Sequence, residues 1–307
     1  MVRVDKLRHL PERFPVACQW EITCRCNLRC VMCYTDCFNR PEFVRQELAT
    51  SEILRIMDEL AEAGTLELCL TGGEPMARTD FFDIYEYAIR KGFLVTVFTN
   101  GTLMTEVHAD RFAALPPHRI EISLHGATQE TFERITQGRG SHDRCLQAIR
   151  LLLDRHIPLV LKTTAMTLNQ YEVMTIKRYA ASLGSVGYKL GEEMRPELDG
   201  GAGPFHYSLS EQALTTLNRQ DDDLWAEACR QQSAVCSPCR SGMQRFHIDA
   251  YGHLQLCSGN RTRSYDLRTG SFREGFFEAL PTFACQWRAP AVPEQIQPTV
   301  QIGRAHV

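Results

Sequence analysis

Between Val16 and Leu190 one pattern repeats six times: a short apolar run, then a stretch with helical periodicity. The runs are "VACQWEIT" (16–23), "LELCL" (66–70), "LVTVF" (94–98), "RIEISL" (119–124), "LVLKTTA" (159–165) and "VGYKL" (186–190). Each has the length and composition of a strand. In the first helical stretch Ile53, Ile56, Met57, Leu60 and Ala61 fall on one helix face. Thr50 or Ser51 is its expected N-cap and Gly64 its stop. Residues 79–91, 105–114, 142–155 and 170–183 read as further helices. Such alternation implies parallel strands joined by right-handed crossovers. A doubly wound sheet and a full or partial β/α barrel both satisfy it. In either, chemistry belongs beyond the C-terminal ends of the strands.

Three segments fall on that rim. "CRCNLRCVMCYTDC" (24–37) follows the first strand, "TGGEP" (71–75) the second and "TNG" (99–101) the third. The chain has 13 cysteines, and their use depends on the compartment. The opening "MVRVDKLRHLPERFP" has no apolar core and does not read as a signal peptide. No apolar run is long enough to cross a bilayer. The expected location is cytoplasmic, where clustered cysteines serve metals or catalysis rather than disulfides. A net charge of −3 gives no basic field for nucleic acid. Cys18, Cys69, Cys145 and Cys229 stand alone and read as small buried hydrophobes.

Within the loop, Cys26, Cys30 and Cys33 form C-x3-C-x2-C. Three thiolates on one short loop can converge on three corners of a cuboidal iron–sulfur cluster and leave one iron open. Zinc competes, although structural zinc sites take four ligands, usually as two separated pairs. Spacing alone leaves iron–sulfur, zinc and unligated thiols open. Gly72 and Gly73 allow close backbone approach to a ligand. Glu74 supplies a carboxylate suited to an ammonium group.

Taken together, "CNLRCVMC", "TGGEP", "TNG" and "ISLHG" resemble the radical S-adenosylmethionine (SAM) superfamily across residues 16–190, and more weakly to 260. The resemblance implies an α/β fold, a partial (β/α)6 TIM-like barrel. It implies a 4Fe-4S cluster on Cys26, Cys30 and Cys33, with SAM chelating the fourth iron. Reductive cleavage of SAM then gives a 5′-deoxyadenosyl radical that abstracts a substrate hydrogen. A reductase, flavodoxin or ferredoxin would supply the electron. By the same resemblance Gly72, Gly73 and Glu74 hold SAM's amino group, and Ser123 and Arg134 match SAM-contacting positions. Met32 stands where relatives often carry an aromatic residue, and is expected to pack on the adenine. Lys162 is a candidate substrate or cofactor contact. Cys24 and Cys37 are extra thiols, expected not to ligate.

A second set lies in "CSPCRSGMQRFHIDAYGHLQLC" (236–257), where "FHIDAYGHLQL" reads as a β-hairpin. Its cysteines suit zinc or iron–sulfur. The segment resembles the SPASM or shorter twitch extension, which implies an auxiliary cluster on Cys236, Cys239, Cys257 and Cys285. The expected organisation is a lead-in (1–15), the radical SAM core (16–194), a Gly/Pro-rich linker (195–209), the auxiliary region (210–290) and a tail (291–307). The tail's last residues, "IGRAHV", resemble a translated sequencing adapter, so the natural C-terminus is expected to be missing.

SPASM-type members mostly modify peptides or proteins, so the leading expectation is a peptide maturase. The rivals are an anaerobic sulfatase-maturing type, a molybdenum-cofactor-type cyclase on GTP, and a non-catalytic zinc or iron–sulfur protein. His125, Glu192, Glu193 and Asp249 are candidates for acid–base work.

Overall fold

A computed structural model of the chain describes residues 12–233 and 241–284. The six expected strands form as β1 (Ala17–Glu21), β2 (Glu67–Thr71), β3 (Leu94–Thr99), β4 (Arg119–Ser123), β5 (Leu159–Thr164) and β6 (Gly187–Gly191). Each pairs in parallel with the next. Consecutive order and parallel pairing make an open, curved sheet of the partial-barrel type rather than a doubly wound one.

The crossovers carry α1 (Pro41–Val44), α2 (Thr50–Glu62), α3 (Phe81–Arg90), α4 (Glu106–Ala114), α5 (Gln129–Thr136), α6 (Ser141–Leu153) and α7 (Val173–Ser182). Helix α2 buries Ile53, Ile56, Met57 and Leu60 against the sheet, as its period requires. Its N-cap is Ala49, not Thr50 or Ser51. The Glu52 carboxylate accepts the Ala49 N–H at 2.7 Å, while the Thr50 hydroxyl donates to Asp80 at 2.6 Å. Gly64 ends the helix at φ +89°.

Beyond β6 lie α8 (Glu211–Asn218) and α9 (Asp222–Ser233). The expected hairpin follows as β7 (Arg245–Ile248) and β8 (His253–Gln255), with β9 (Tyr265–Asp266) beside it. It is not a separate layer, because β7 pairs in parallel with β1. The sheet therefore runs β6-β5-β4-β3-β2-β1-β7-β8-β9 among the described residues. One continuous core joins Trp20, Leu70 and Ile122 to Phe246, Phe272 and Phe276. No described helix is long and apolar enough to cross a membrane. Cys236, Cys239, Cys285 and the tail lie outside the described residues.

Candidate active site

The cysteine loop leaves β1 at Glu21 and is fastened at its start. Glu47 accepts from the Thr23 hydroxyl at 2.8 Å and the Cys24 N–H at 2.7 Å. Buried Arg78 donates to the carbonyls of Ile22 and Leu48 and grips Asp80 through two nitrogens. Beyond this anchor Cys26, Cys30 and Cys33 all line one cavity of about 440 Å³ at the C-terminal ends of the strands. Donors already face two of the three sulfurs. The Leu28 N–H points at Cys26 Sγ (3.4 Å), Thr35 Oγ1 stands 3.4 Å from Cys33 Sγ, and Asn100 Nδ2 lies 3.9 Å from Cys26 Sγ. Burial pushes the Cys26 thiol up to about 12 and raises Cys30 well above its ordinary value, where Cys33 and Cys26 add to the rise. Thiols buried in this way become thiolates most readily beside a cation.

The two extra thiols point elsewhere. Cys24 Sγ lies 3.4 Å from the Tyr251 hydroxyl in a different cavity, and Cys37 Sγ approaches the Tyr34 carbonyl at 3.8 Å.

Gly72 and Gly73 line the same cavity, and their freedom has a visible use. At Gly72 (φ +140°) a Cβ would sit 2.2 Å from the Thr23 carbonyl oxygen, and at Gly73 2.4 Å from that of Arg25. The Gly73 and Glu74 N–H groups donate to those two carbonyls at 2.9 and 2.7 Å. The glycine pair thus locks the second loop against the cysteine loop. Glu74 does not line the cavity. It is fully buried, and accepts from the Thr99 hydroxyl (2.8 Å), the Asn100 N–H (2.7 Å) and the Met76 N–H (3.2 Å). Burial pushes its carboxyl up to about 7 despite these bonds. Glu74 therefore supports the ends of β2 and β3 from beneath.

Ser123, Met32, His125 and Lys162 complete the cavity wall. Met32 packs with Ile135, Met166 and Met194. His125 Nδ1 accepts the Thr164 N–H at 3.2 Å, which puts the ring proton on Nε2. Burial, with Lys162 nearby, holds it down to about 4, so the imidazole is neutral. Burial also lowers the Lys162 ammonium against the pull of Glu121. Arg134 is not in the wall. Helix α5 buries Phe132, Ile135 and Thr136, and that face turns Arg134 outward. Among the acid–base candidates, Glu193 lines the cavity while Glu192 binds the Asn218 amide. Asp249 lies outside this cavity and borders the one that holds Cys24 and Tyr251. It accepts from the Tyr251 and His253 N–H groups and from the His253 ring across the β7–β8 turn.

Sequence reading missed two contributors. Asn100, the middle residue of "TNG", donates to Asn27 at 3.0 Å and so ties β3 to the cysteine loop. Its place directly after a strand was the available signal. The second is Tyr34, whose hydroxyl donates to Glu21 (3.2 Å) while the Arg195 and Arg261 guanidiniums flank its ring at 5.8 Å. Arg261 bonds both oxygens of Glu21 (2.8 and 2.5 Å). Burial opposes ionisation of Glu21, but His247 and Arg261 outweigh it and hold the carboxyl well below its usual range. No local pattern reveals a pair 240 residues apart.

The donor set fits a polynuclear cluster. Three thiols border one roomy cavity, N–H and O–H donors face two of the sulfurs, and the glycine loop presents backbone alongside. Among the described residues, no three His, Cys, Asp or Glu side chains gather around one metal-ion position.

Residues 20–178 match the family described as the Radical SAM superfamily. Over 169 residues the chain is 34% identical to the AdoMet-dependent heme synthase of Methanosarcina barkeri, covering 55% of this chain and 48% of that protein. Over 173 residues it is 32% identical to the PqqA peptide cyclase of Granulibacter bethesdensis, covering 56% and 45%. The chain thus spans about half the length of these curated relatives. In fold it is similar to Streptococcus suis SuiB bound to precursor peptide SuiA, with a TM-score of 0.70 at 14% identity over 91% of this chain and 68% of that one.

Proposed function

The chain belongs to the radical SAM superfamily, and from that premise we propose that it is a peptide-modifying radical SAM enzyme, a peptide maturase. The observation that carries the enzymatic reading is the convergence of Cys26, Cys30 and Cys33 on one cavity with Gly72, Gly73, Asn100 and Ser123. In this reading the three cysteines hold the 4Fe-4S cluster that the family binds. Backbone at Gly72 and Gly73 faces SAM's amino group, and Ser123 and Met32 line its place. When bound, the cluster and SAM supply a one-electron cleavage that generates a hydrogen-abstracting radical, with the electron coming from a flavodoxin- or ferredoxin-type donor. The chain's own residues position and exclude. Glu74 fixes the rim through Thr99 and Asn100, neutral His125 offers an N–H, and Met32 with its apolar neighbours shields the cavity from water.

Similarity to a PqqA peptide cyclase supports a peptide substrate. We assign 16–194 to the core and 210–290 to a SPASM-like auxiliary region. Cys257, which lines a second cavity, would be one auxiliary ligand beside Cys236, Cys239 and Cys285. The similarity to a heme synthase favours a second reading, an iron-tetrapyrrole substrate. The deciding experiment incubates anaerobically reconstituted protein with SAM and dithionite, plus either a short precursor peptide encoded beside the gene or a tetrapyrrole. Mass spectrometry of the peptide should show loss of two hydrogens per crosslink, with matching 5′-deoxyadenosine. An unmodified peptide beside a converted tetrapyrrole would select the second reading.

A further inference from the structure

One ammonium in the large cavity shares its one acceptor among the described residues with two other cations. Lys162 Nζ lies 3.5 Å from the Phe98 ring centroid and forms a long ion pair with Glu121 Oε2 at 3.5 Å. Glu121 Oε2 faces Lys162 alone, while Oε1 takes Arg119 Nε at 2.7 Å and Lys189 Nζ at 2.6 Å. Three cations therefore share one buried carboxylate. The other carboxylates bordering this interior, Glu67 and Glu193, are exposed at its rims. The cluster carries excess positive charge, and Lys162 is the member that the shared carboxylate holds at the longest distance.

Its position is informative. Phe98 and Glu121 are register partners, two residues before Ser123, so an ammonium over Phe98 lies one layer below the rim. Phe98, Gln19 and Ser258 also line a second cavity of about 320 Å³ that opens toward the strands' N-terminal ends. Lys162 thus stands where the two cavities meet. A partly buried ammonium with donors left over from one long, shared ion pair favours an anionic oxygen acceptor and disfavours a cationic side chain. The aromatic wall suits the methylenes that carry such a group.

We propose that Lys162 receives a substrate carboxylate, that of an acidic side chain of the modified peptide, at this junction. The inference rests on the peptide reading above. Its test is a calorimetric titration of the reconstituted full chain, with SAM present, using N-acetylglutamate amide, N-acetylglutamine amide and glutarate as probes. The glutamate probe should bind about tenfold tighter than the glutamine probe, as expected for a hydrogen bond to a charged group. Lys162→Met should abolish that preference, Lys162→Arg should restore most of it, and SAM affinity should stay within about twofold in both. Equal binding of the two amides to the unsubstituted chain would overturn the proposal without any variant. So would a preference that survives in Lys162→Met while SAM binding weakens, since Lys162 would then serve the cofactor. Glutarate binding that depends on Lys162, with no binding of the glutamate amide, would support the carboxylate site and overturn the peptide as its source.

Discussion

The Asn100 N–H donates to the Glu74 carboxylate at 2.7 Å, so a side chain that never reaches the cavity joins two of its loops. Thr99 and Met76 bond the same carboxylate, and Asn100 in turn reaches Asn27 and Cys26. We propose that the acidic residue of "TGGEP" acts as a positioning residue.

Glu74→Gln replaces one acceptor oxygen with an N–H2 in a network of three donors. A buried donor left without an acceptor costs about 1–3 kcal/mol. The cofactor-free protein should melt earlier, and SAM binding should weaken about tenfold through the displaced rim. Calorimetry on both states checks this. Unchanged melting with weakened SAM binding would mean direct contact instead.

Asp80 is tied to Arg78, which holds the start of the cysteine loop. Hydrogen bonds from Arg78 lower its carboxyl from 3.8 to about 2, although burial opposes them. A depressed carboxyl stabilises the fold above its unfolded value, and that contribution is lost as pH falls through the folded one. Asp80→Asn should thus melt below the unsubstituted protein at neutral pH, with the gap closing between about pH 4 and pH 2. A gap independent of pH would show that this ion pair does not stabilise the fold.

His125 should show a single neutral tautomer with its proton on Nε2, since Nδ1 takes the Thr164 N–H. Its value is lowered from 6.5 to about 4, so the unfolded chain binds the extra proton first. Stability then falls as pH drops through that window. Imidazole 15N shifts of the folded protein should not titrate between about pH 5.5 and 8. A midpoint inside that range would make His125 a proton carrier rather than a fixed donor.

Much of this was legible in the sequence, and the reasons are physical. All six strands follow from apolar runs, and the rim location of three motifs follows from parallel topology. Helix α5 escaped because its N-terminus is tied by Glu172, which accepts from Ala127, Thr128 and Thr131 across more than 40 residues. The direction of Lys162 was undecidable, because β5 buries alternate residues and either face fits a β/α fold. Arg134 lies on the exposed side of a helix the sequence had not delimited. The buried Glu21–Arg261 pair joins chain ends that only the parallel pairing of β7 with β1 brings together.

We propose that Cys26, Cys30 and Cys33, and neither Cys24 nor Cys37, hold the cluster that binds SAM. Electron paramagnetic resonance of the dithionite-reduced, anaerobically reconstituted protein tests it most directly, with spectra taken before and after adding SAM. In the unsubstituted protein, Cys24→Ala and Cys37→Ala, SAM should change the cluster signal, and 5′-deoxyadenosine should form. Cys30→Ala should show no SAM-responsive signal and make no 5′-deoxyadenosine. A SAM-responsive signal in Cys30→Ala, or its complete loss in Cys37→Ala, would contradict the assignment.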